Sequence, residues 1–137
     1  MKVIRFYISQ ILEEVCSLLS DASKNVSASN RKSVNQKQMS DFIVVSLPIN
    51  IPSSNIIQDT TIRFDLAARN IQNGLENTPK LQNMLDSVIS YFPIKSESGR
   101  FTIISPVVVL KGDDGLGFSH WLINAELQIN QTDSYKY

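Results

Sequence analysis

The chain has 137 residues, of which 42% are hydrophobic and 19% are charged, so it can bury the core of one domain. Its 13 basic and 13 acidic residues cancel, which removes any global charge argument for binding nucleic acid or an anionic membrane. One cysteine and one histidine exclude an internal disulfide and a Cys/His zinc site, because such a site needs more ligands. No signal-peptide core or bilayer-spanning stretch is apparent, so we expect a soluble protein made inside the cell.

The first predicted element is a helix. Apolar residues recur from Ile4 to Ala22 at steps of three and four, which gives one apolar stripe, and the helix is expected to end between Ser20 and Ser23. The segment at about residues 23–40 is rich in Ser, Asn, Gln and Lys, and all its charges are positive. This composition predicts a flexible polar loop, within which a short strand at residues 26–28 would fit.

Two strands are predicted next. Residues 41–51 are β-branched and apolar on both faces, which is typical of a buried strand. Residues 60–70 alternate between apolar and polar, which indicates a half-exposed strand. Four apolar side chains of the second strand share one face: Ile62, Phe64, Leu66 and Ala68. The other face carries Arg63, Asp65 and Arg69, which are candidates to pair with a neighbouring strand or subunit.

A second helix has clear start and stop signals. Thr78 is the expected N-cap, Pro79 suits the first helical position, and Pro93 ends the helix. Two further strands, residues 101–110 and 118–130, complete the predicted elements.

The element order α-β-β-α-β-β predicts a single α+β domain over residues 1–137. In this domain two helices pack on one face of a mostly antiparallel sheet of about four strands. The polar residues at about 131–137 are expected to form a short C-terminal tail.

Residues 112–115, Gly-Asp-Asp-Gly, lie between the last two strands. Paired aspartates in a hairpin can bind metal for nucleotidyl transfer, but such a site needs a further carboxylate and a substrate-binding scaffold. Glycine and aspartate also suit a hairpin turn. We therefore interpret Asp113 and Asp114 as an exposed hairpin tip available for contact, and predict no metal site.

His120 and Trp121 alternate between the two faces of the last strand. Trp121 is expected in the core and His120 on the polar face. A catalytic histidine needs a nucleophile or an orienting carboxylate; the local candidates are Glu126 and the aspartate pair, and no nucleophile motif is present. A surface or interface histidine is the favoured interpretation. With no phosphate-binding loop or other catalytic motif, we predict no catalytic residue and no cofactor.

A basic arm is formed by Arg31, Lys32 and Lys37 in the polar loop. Such residues can contact phosphates, but the absence of interleaved aromatics weakens single-strand binding, and a solvated loop is favoured. The alternative function, from another class, is a small nucleic-acid-binding or enzymatic accessory protein. It would use this arm, or His120 with nearby carboxylates.

The whole chain also resembles a known family. A helix, a polar loop containing NVSASNRK, and then the segments DFIVVSLP, IRFDLAARN, NTPKLQNMLDSVISYFP and GFSHWLINAELQIN are together similar to small bacteriophage tail-terminator and tail-completion proteins. These proteins occur at the head–tail junction of tailed phages. The resemblance covers almost the full chain in order and length.

The resemblance implies a non-enzymatic α+β subunit of the virion that forms a closed ring, commonly a hexamer. Such a ring caps the tail tube and joins it to the connector, and the family has no catalytic residues to carry over. By position, the polar loop would be an assembly arm or would face the lumen through which DNA passes. The face carrying Arg63, Asp65 and Arg69 would be a subunit contact.

Overall fold

A computed structural model describes residues 11–23, 25–28, 40–47, 59–96 and 101–129. The first helix, α1, covers residues 11–18 of this part of the chain and continues into a 3-10 turn at Leu19–Asp21. Ile11, Leu12, Val15 and Leu19 are buried. Their three- and four-residue spacing places them on one helical face, so the described part of the predicted apolar stripe and the end of the helix are confirmed. Ile4 and Ile8, at the start of the predicted stripe, lie outside the described residues.

Six strands form one mixed, curled sheet in the order β1-β2-β3-β6-β5-β4. Their bounds are β1 Val26–Ala28, β2 Asp41–Ser46, β3 Asp59–Arg69, β4 Ile94–Lys95, β5 Phe101–Asp113 and β6 Phe118–Ile129. β1 pairs with β2 in parallel, whereas the other four pairings are antiparallel. The second helix, α2, covers Thr78–Ile89.

The prediction of about four strands in the order α-β-β-α-β-β was wrong. The two additional strands, β1 and β4, have three and two residues. β1 matches the short strand considered at residues 26–28, whereas β4 was not predicted, because a segment this short shows no alternating pattern. A strand this short is fixed by the main-chain bonds that its neighbour offers, not by its own sequence. The parallel pairing of β1 with β2 likewise depends on a long-range contact.

The described elements follow the same order twice along the chain, since a unit of one helix followed by three strands occurs two times. The units meet through their last strands, because β3 and β6 lie side by side at the middle of the sheet. Their antiparallel register extends from Asp59–Gln128 to Arg69–Phe118. The repeat is one of element order alone, because β1 pairs with β2 in parallel whereas β4 pairs with β5 antiparallel.

The main core lies between the helices and one face of the sheet. Residues from both helices share one apolar cluster with the strands. On β3 the predicted alternation is confirmed, because Ile62, Phe64, Leu66 and Ala68 are all fully buried in this cluster. Trp121 also belongs to it, as expected. The opposite face of the sheet is therefore the one that carries the polar residues of β3 and β6.

The start of α2 differs from the prediction by one residue. Asn77 is the N-cap, and its side chain accepts a hydrogen bond from the Lys80 main-chain N–H at 3.3 Å. Thr78 is instead the first helical residue and donates its hydroxyl to Glu76 at 2.7 Å. Asparagine and threonine both cap helices well, so their adjacency made the boundary ambiguous.

Candidate interaction surface

The centre of the polar sheet face is His120, held between two carboxylates. Its Nδ1 lies 2.8 Å from Asp65 Oδ1 on β3, and its Nε2 lies 2.7 Å from Asp114 Oδ2 after β5. The His120 side chain is only 11% exposed. Both ring nitrogens can donate to these oxygens only when the imidazole is doubly protonated. We refer to these three residues as the Asp65–His120–Asp114 clasp.

The clasp buries His120, which corrects the surface alternative in its interpretation as a surface or interface histidine. The register pairs His120 with Ala67 and Asp65 with Leu122, so the imidazole reaches diagonally across β3 and β6 to its carboxylate. Asp65 had been predicted only to pair with a neighbouring strand or subunit. Asp65 and His120 are 55 positions apart in the chain, which kept the sequence from connecting them.

Apolar rings shield the clasp from water. Phe42 and Phe118 pack edge to face with centroids 5.1 Å apart, and Phe42 also contacts the His120 ring at 6.1 Å. The Arg69 guanidinium lies 4.9 Å from the centroid of the Phe118 ring, a cation–π geometry. Together with Ala67 and the half-buried Val44, the two phenylalanines form a second, smaller core on this face.

The aspartates at the hairpin tip build the turn. Asp113 accepts a hydrogen bond from the Gly115 N–H at 2.9 Å. Asp114 accepts from the N–H groups of Leu116 at 2.7 Å and Phe118 at 3.2 Å. Gly115 and Gly117 adopt positive φ angles of 78° and 99°, which a side chain would disfavour. The predicted hairpin is confirmed, with Asp113 exposed and Asp114 committed to the clasp.

Electrostatics within the clasp favour the charged forms of His120 and Asp114. The hydrogen bond to Asp65 raises the pKa of His120 above its ordinary value of 6.5; burial opposes this, and Asp114 reinforces it. Burial alone would raise the pKa of Asp114, but bonds from His120 and from the Leu116 and Phe118 N–H groups hold it below 3.8. The two flanking carboxylates therefore favour the imidazolium form of His120, in which both ring N–H groups can donate.

We expect the free energy of unfolding to depend on pH through the clasp. Since the folded pKa of His120 is raised, its contribution is complete below pH 6.5 and is lost as the pH rises through the folded value. The Asp114 contribution is present above pH 3.8 and is lost as the pH falls through its lowered pKa. Urea unfolding across about pH 5–9 should show a decline on the alkaline side that His120→Gln lacks.

A separate feature of the sheet is the exposed outer part of β5. Val107, Val108, Val109 and Leu110 are 59%, 39%, 43% and 67% exposed. β4 pairs with β5 only at Thr102 and Ile103, and no other described strand lies on that side. We call residues 107–110 the β5 edge. Sequence analysis missed it, because a continuous apolar run is usually buried on both faces.

Two of the remaining candidate residues, Arg63 and Arg69, lie on β3. The Arg63 Nε donates to Asn124 Oδ1 on the neighbouring strand at 3.2 Å. Arg69 is exposed beside the Phe118 ring. Arg31, Lys32 and Lys37 lie outside the described residues. The structure thus gathers Asp65, His120 and Asp114 at one point, with Arg63 and Arg69 elsewhere on the same strand face.

A polar cluster surrounds Asp41 at the opposite edge of the sheet, where no candidate was predicted. Asp41 forms an ion pair with Lys80 at 2.9 Å and accepts hydrogen bonds from Ser23 and Ser40. Burial alone would raise the Asp41 pKa, but these partners lower it. A cavity of about 480 Å³ opens beside the cluster. Because its polar groups pair with one another, we interpret the cluster as structural support for β1, β2 and α2.

No group of three or more His, Cys, Asp or Glu side chains within the described residues is arranged to bind a metal ion. None of the helices in the same part of the chain is long and apolar enough to cross a membrane.

Comparison with known proteins finds similarity among solved structures. No protein-family model and no curated protein matches the sequence. Among solved structures, the fold is similar to that of the bacteriophage SPP1 gp17 protein. The TM-score is 0.46 and the sequence identity 15%, over 95% of this chain and 93% of that chain.

Proposed function

We propose that the protein is a non-enzymatic structural component of a phage virion. It would assemble into a ring at the head–tail junction and there cap or dock the tail tube. The observation that carries the assembly proposal is the β5 edge, where four consecutive apolar residues stand exposed along a strand. The resemblance of the whole sequence to tail-terminator and tail-completion proteins supplies the location.

Physical arguments support assembly. Soluble monomers rarely expose contiguous apolar patches above a few hundred Å², and an unpaired strand edge offers main-chain donors and acceptors to another strand. Contacts between two different patches of identical subunits close into a ring when the rotation between neighbours is suitable. We propose six copies, as is common in the resembled family.

The state of His120 supports a structural role. A general base needs a free lone pair within reach of the proton that it removes. In the clasp both ring nitrogens of His120 are occupied by Asp65 and Asp114. The imidazole therefore ties the hairpin to β3, and we propose that His120 does not serve as a general base.

The proposed partners are other copies of the chain, neighbouring neck proteins and the tail tube. DNA would pass through the lumen without sequence-specific recognition, and no cofactor or membrane would be involved. The basic arm with Arg31, Lys32 and Lys37 is proposed as an assembly segment. It would either contact a neighbouring subunit or face the lumen.

Mass measurement tests the proposal. Native mass spectrometry of the purified 15.4 kDa chain, alone and mixed with virion components, is expected to give a closed oligomer of defined copy number. Antibody labelling of virions should place it between head and tail. A strict monomer under both conditions, or labelling elsewhere, contradicts the proposed function.

A further inference from the structure

We propose that the β5 edge is the site where a second copy of this chain docks by strand pairing. The inference rests on the proposed function in that it names the contact from which the ring is built. Its basis is the combination of exposed apolar side chains, a strand side on which no described strand pairs with residues 107–110, and boundaries at both ends of these four residues.

The apolar surface suits a protein partner. Val107 and Val109 share the sheet face of Asn124 and Leu122, whereas Val108 and Leu110 share the face of Ile123 and Trp121, as their register pairs show. Both faces of the β5 edge are therefore apolar and exposed. They offer surface on the order of several hundred Å², enough for the centre of an interface that buries about 800 Å² on each partner.

The main chain of the β5 edge is available in the same place. β6 occupies one side of β5, and the described pairing on the other side ends at Ile103. Exposure of 39–67% for the four side chains means that the folded chain leaves them largely uncovered. A strand added here would gain main-chain hydrogen bonds and would cover the side chains on both faces.

Features that block strand pairing flank this segment on both sides. Before it, the register shifts between Ile104 and Val107, where Ser105 has a φ of 57° and Pro106 lacks an N–H. After it, a second shift occurs between Leu110 and Gly112, whose φ is 92°, with Lys111 between them. Bulges, proline and lysine are devices that protect strand edges. Pairing is thus confined to roughly 13 Å of strand.

The occupant is another copy because the segment carries no charge to select a different partner. An uncharged segment can meet a different patch of an identical subunit without charge repulsion, as a ring contact between two patches requires. The clasp holds the end of β5 in place, since Asp114 directly follows β5 and binds His120. The edge is therefore presented in a fixed position.

The test compares Leu110→Lys and Val109→Lys with a matched control, Leu75→Lys. Leu75 is 60% exposed, close to the 67% of Leu110, but lies outside the sheet. At a protein concentration where the wild type is assembled, both β5 variants are expected to lose the oligomer mass in light scattering, and Leu75→Lys to retain it. Circular dichroism and the urea midpoint verify that each variant is folded.

The outcomes separate this inference from the proposed function. An oligomer that persists in both β5 variants overturns the inference and leaves the ring proposal standing. A β5-dependent assembly that is only a dimer supports the inference and contradicts the ring. Variants that lose stability without any change in mass indicate that a segment of the same chain covers the edge, which overturns the inference. A wild type that is always monomeric overturns both.

Discussion

Replacing Phe64 with alanine is expected to lower the free energy of unfolding by about 3–5 kcal/mol. Phe64 is fully buried at the middle of β3, where it pairs with Val45 of β2 and Ile123 of β6. Its ring also meets Phe92 edge to face at 5.9 Å. The neighbours of Phe64 on three sides belong to regular strands or adjoin a helix. The cavity that the alanine variant leaves can therefore collapse only partly. The loss is a large share of the roughly 5–15 kcal/mol that domains of this kind possess.

Urea unfolding at constant pH measures the effect, and Leu75→Ala is the matched control. Leu75 is also a large apolar residue but is 60% exposed, so its truncation should change the free energy of unfolding by no more than about 0.5 kcal/mol. A Phe64→Ala loss below about 1 kcal/mol would contradict the assignment of Phe64 to a tightly packed core.

The His120→Ala variant is expected to lose about 2–4 kcal/mol of stability, because it leaves two partly buried carboxylates facing one vacated position. The estimate lies toward the lower part of the range for buried pairs, since Asp65 and Asp114 retain 26% and 24% side-chain exposure. Water can solvate these groups in part. Removal of the ring also takes a contact from Phe42.

A double-mutant cycle with Asp65→Asn separates the clasp from the general cost of truncation. If the ion pair carries the effect, the two single losses are coupled, and the double variant loses less than their sum by about 0.5–3 kcal/mol. Arg63→Ala is a suitable control on the same strand, since Arg63 bonds to Asn124 outside the clasp. Strict additivity of His120→Ala and Asp65→Asn would show that the clasp makes no net contribution.

The clasp and the β5 edge have a mechanical relation. The edge lies on an arm that runs past the last β4 pairing at Ile103, and an arm supported by one neighbouring strand would bend easily. Binding of Asp114 to His120 fastens the tip of this arm to β6, and through Asp65 to β3. Rigid presentation lowers the entropy that a partner must remove on binding.

Local periodicity was sufficient to predict the long elements. β3 and β6 alternate along their length and α2 follows a helical repeat, so each reveals its buried face from neighbouring residues alone. The same logic placed Trp121 in the core and identified the hairpin after β5 from its glycines and aspartates. These features depend on contacts between residues close in sequence or on the intrinsic conformation of a turn.

The candidate site was only partly predictable. Asp114 was considered as a local partner of His120, but Asp65 was singled out separately, because nothing local connects a residue of β3 with one of β6. The burial of His120 depends on Phe42 from a third strand, which an alternation pattern cannot supply. The exposure of the β5 edge was not predicted either. A continuous apolar run matches the pattern of a buried strand, but the pattern does not show whether neighbouring segments are present to bury it.

By itself, the sequence determined which residues form helices and long strands, which faces of them are apolar, and where the last hairpin turns. Tertiary structure decided the number and order of strands, the parallel pairing of β1 with β2, the assembly of the Asp65–His120–Asp114 clasp and the exposure of the β5 edge. The physical reason is the separation along the sequence between the residues that contact each other. Periodicity records how one segment divides its side chains between two faces, whereas strand pairing, charge partners and edge exposure depend on which distant segment lies alongside.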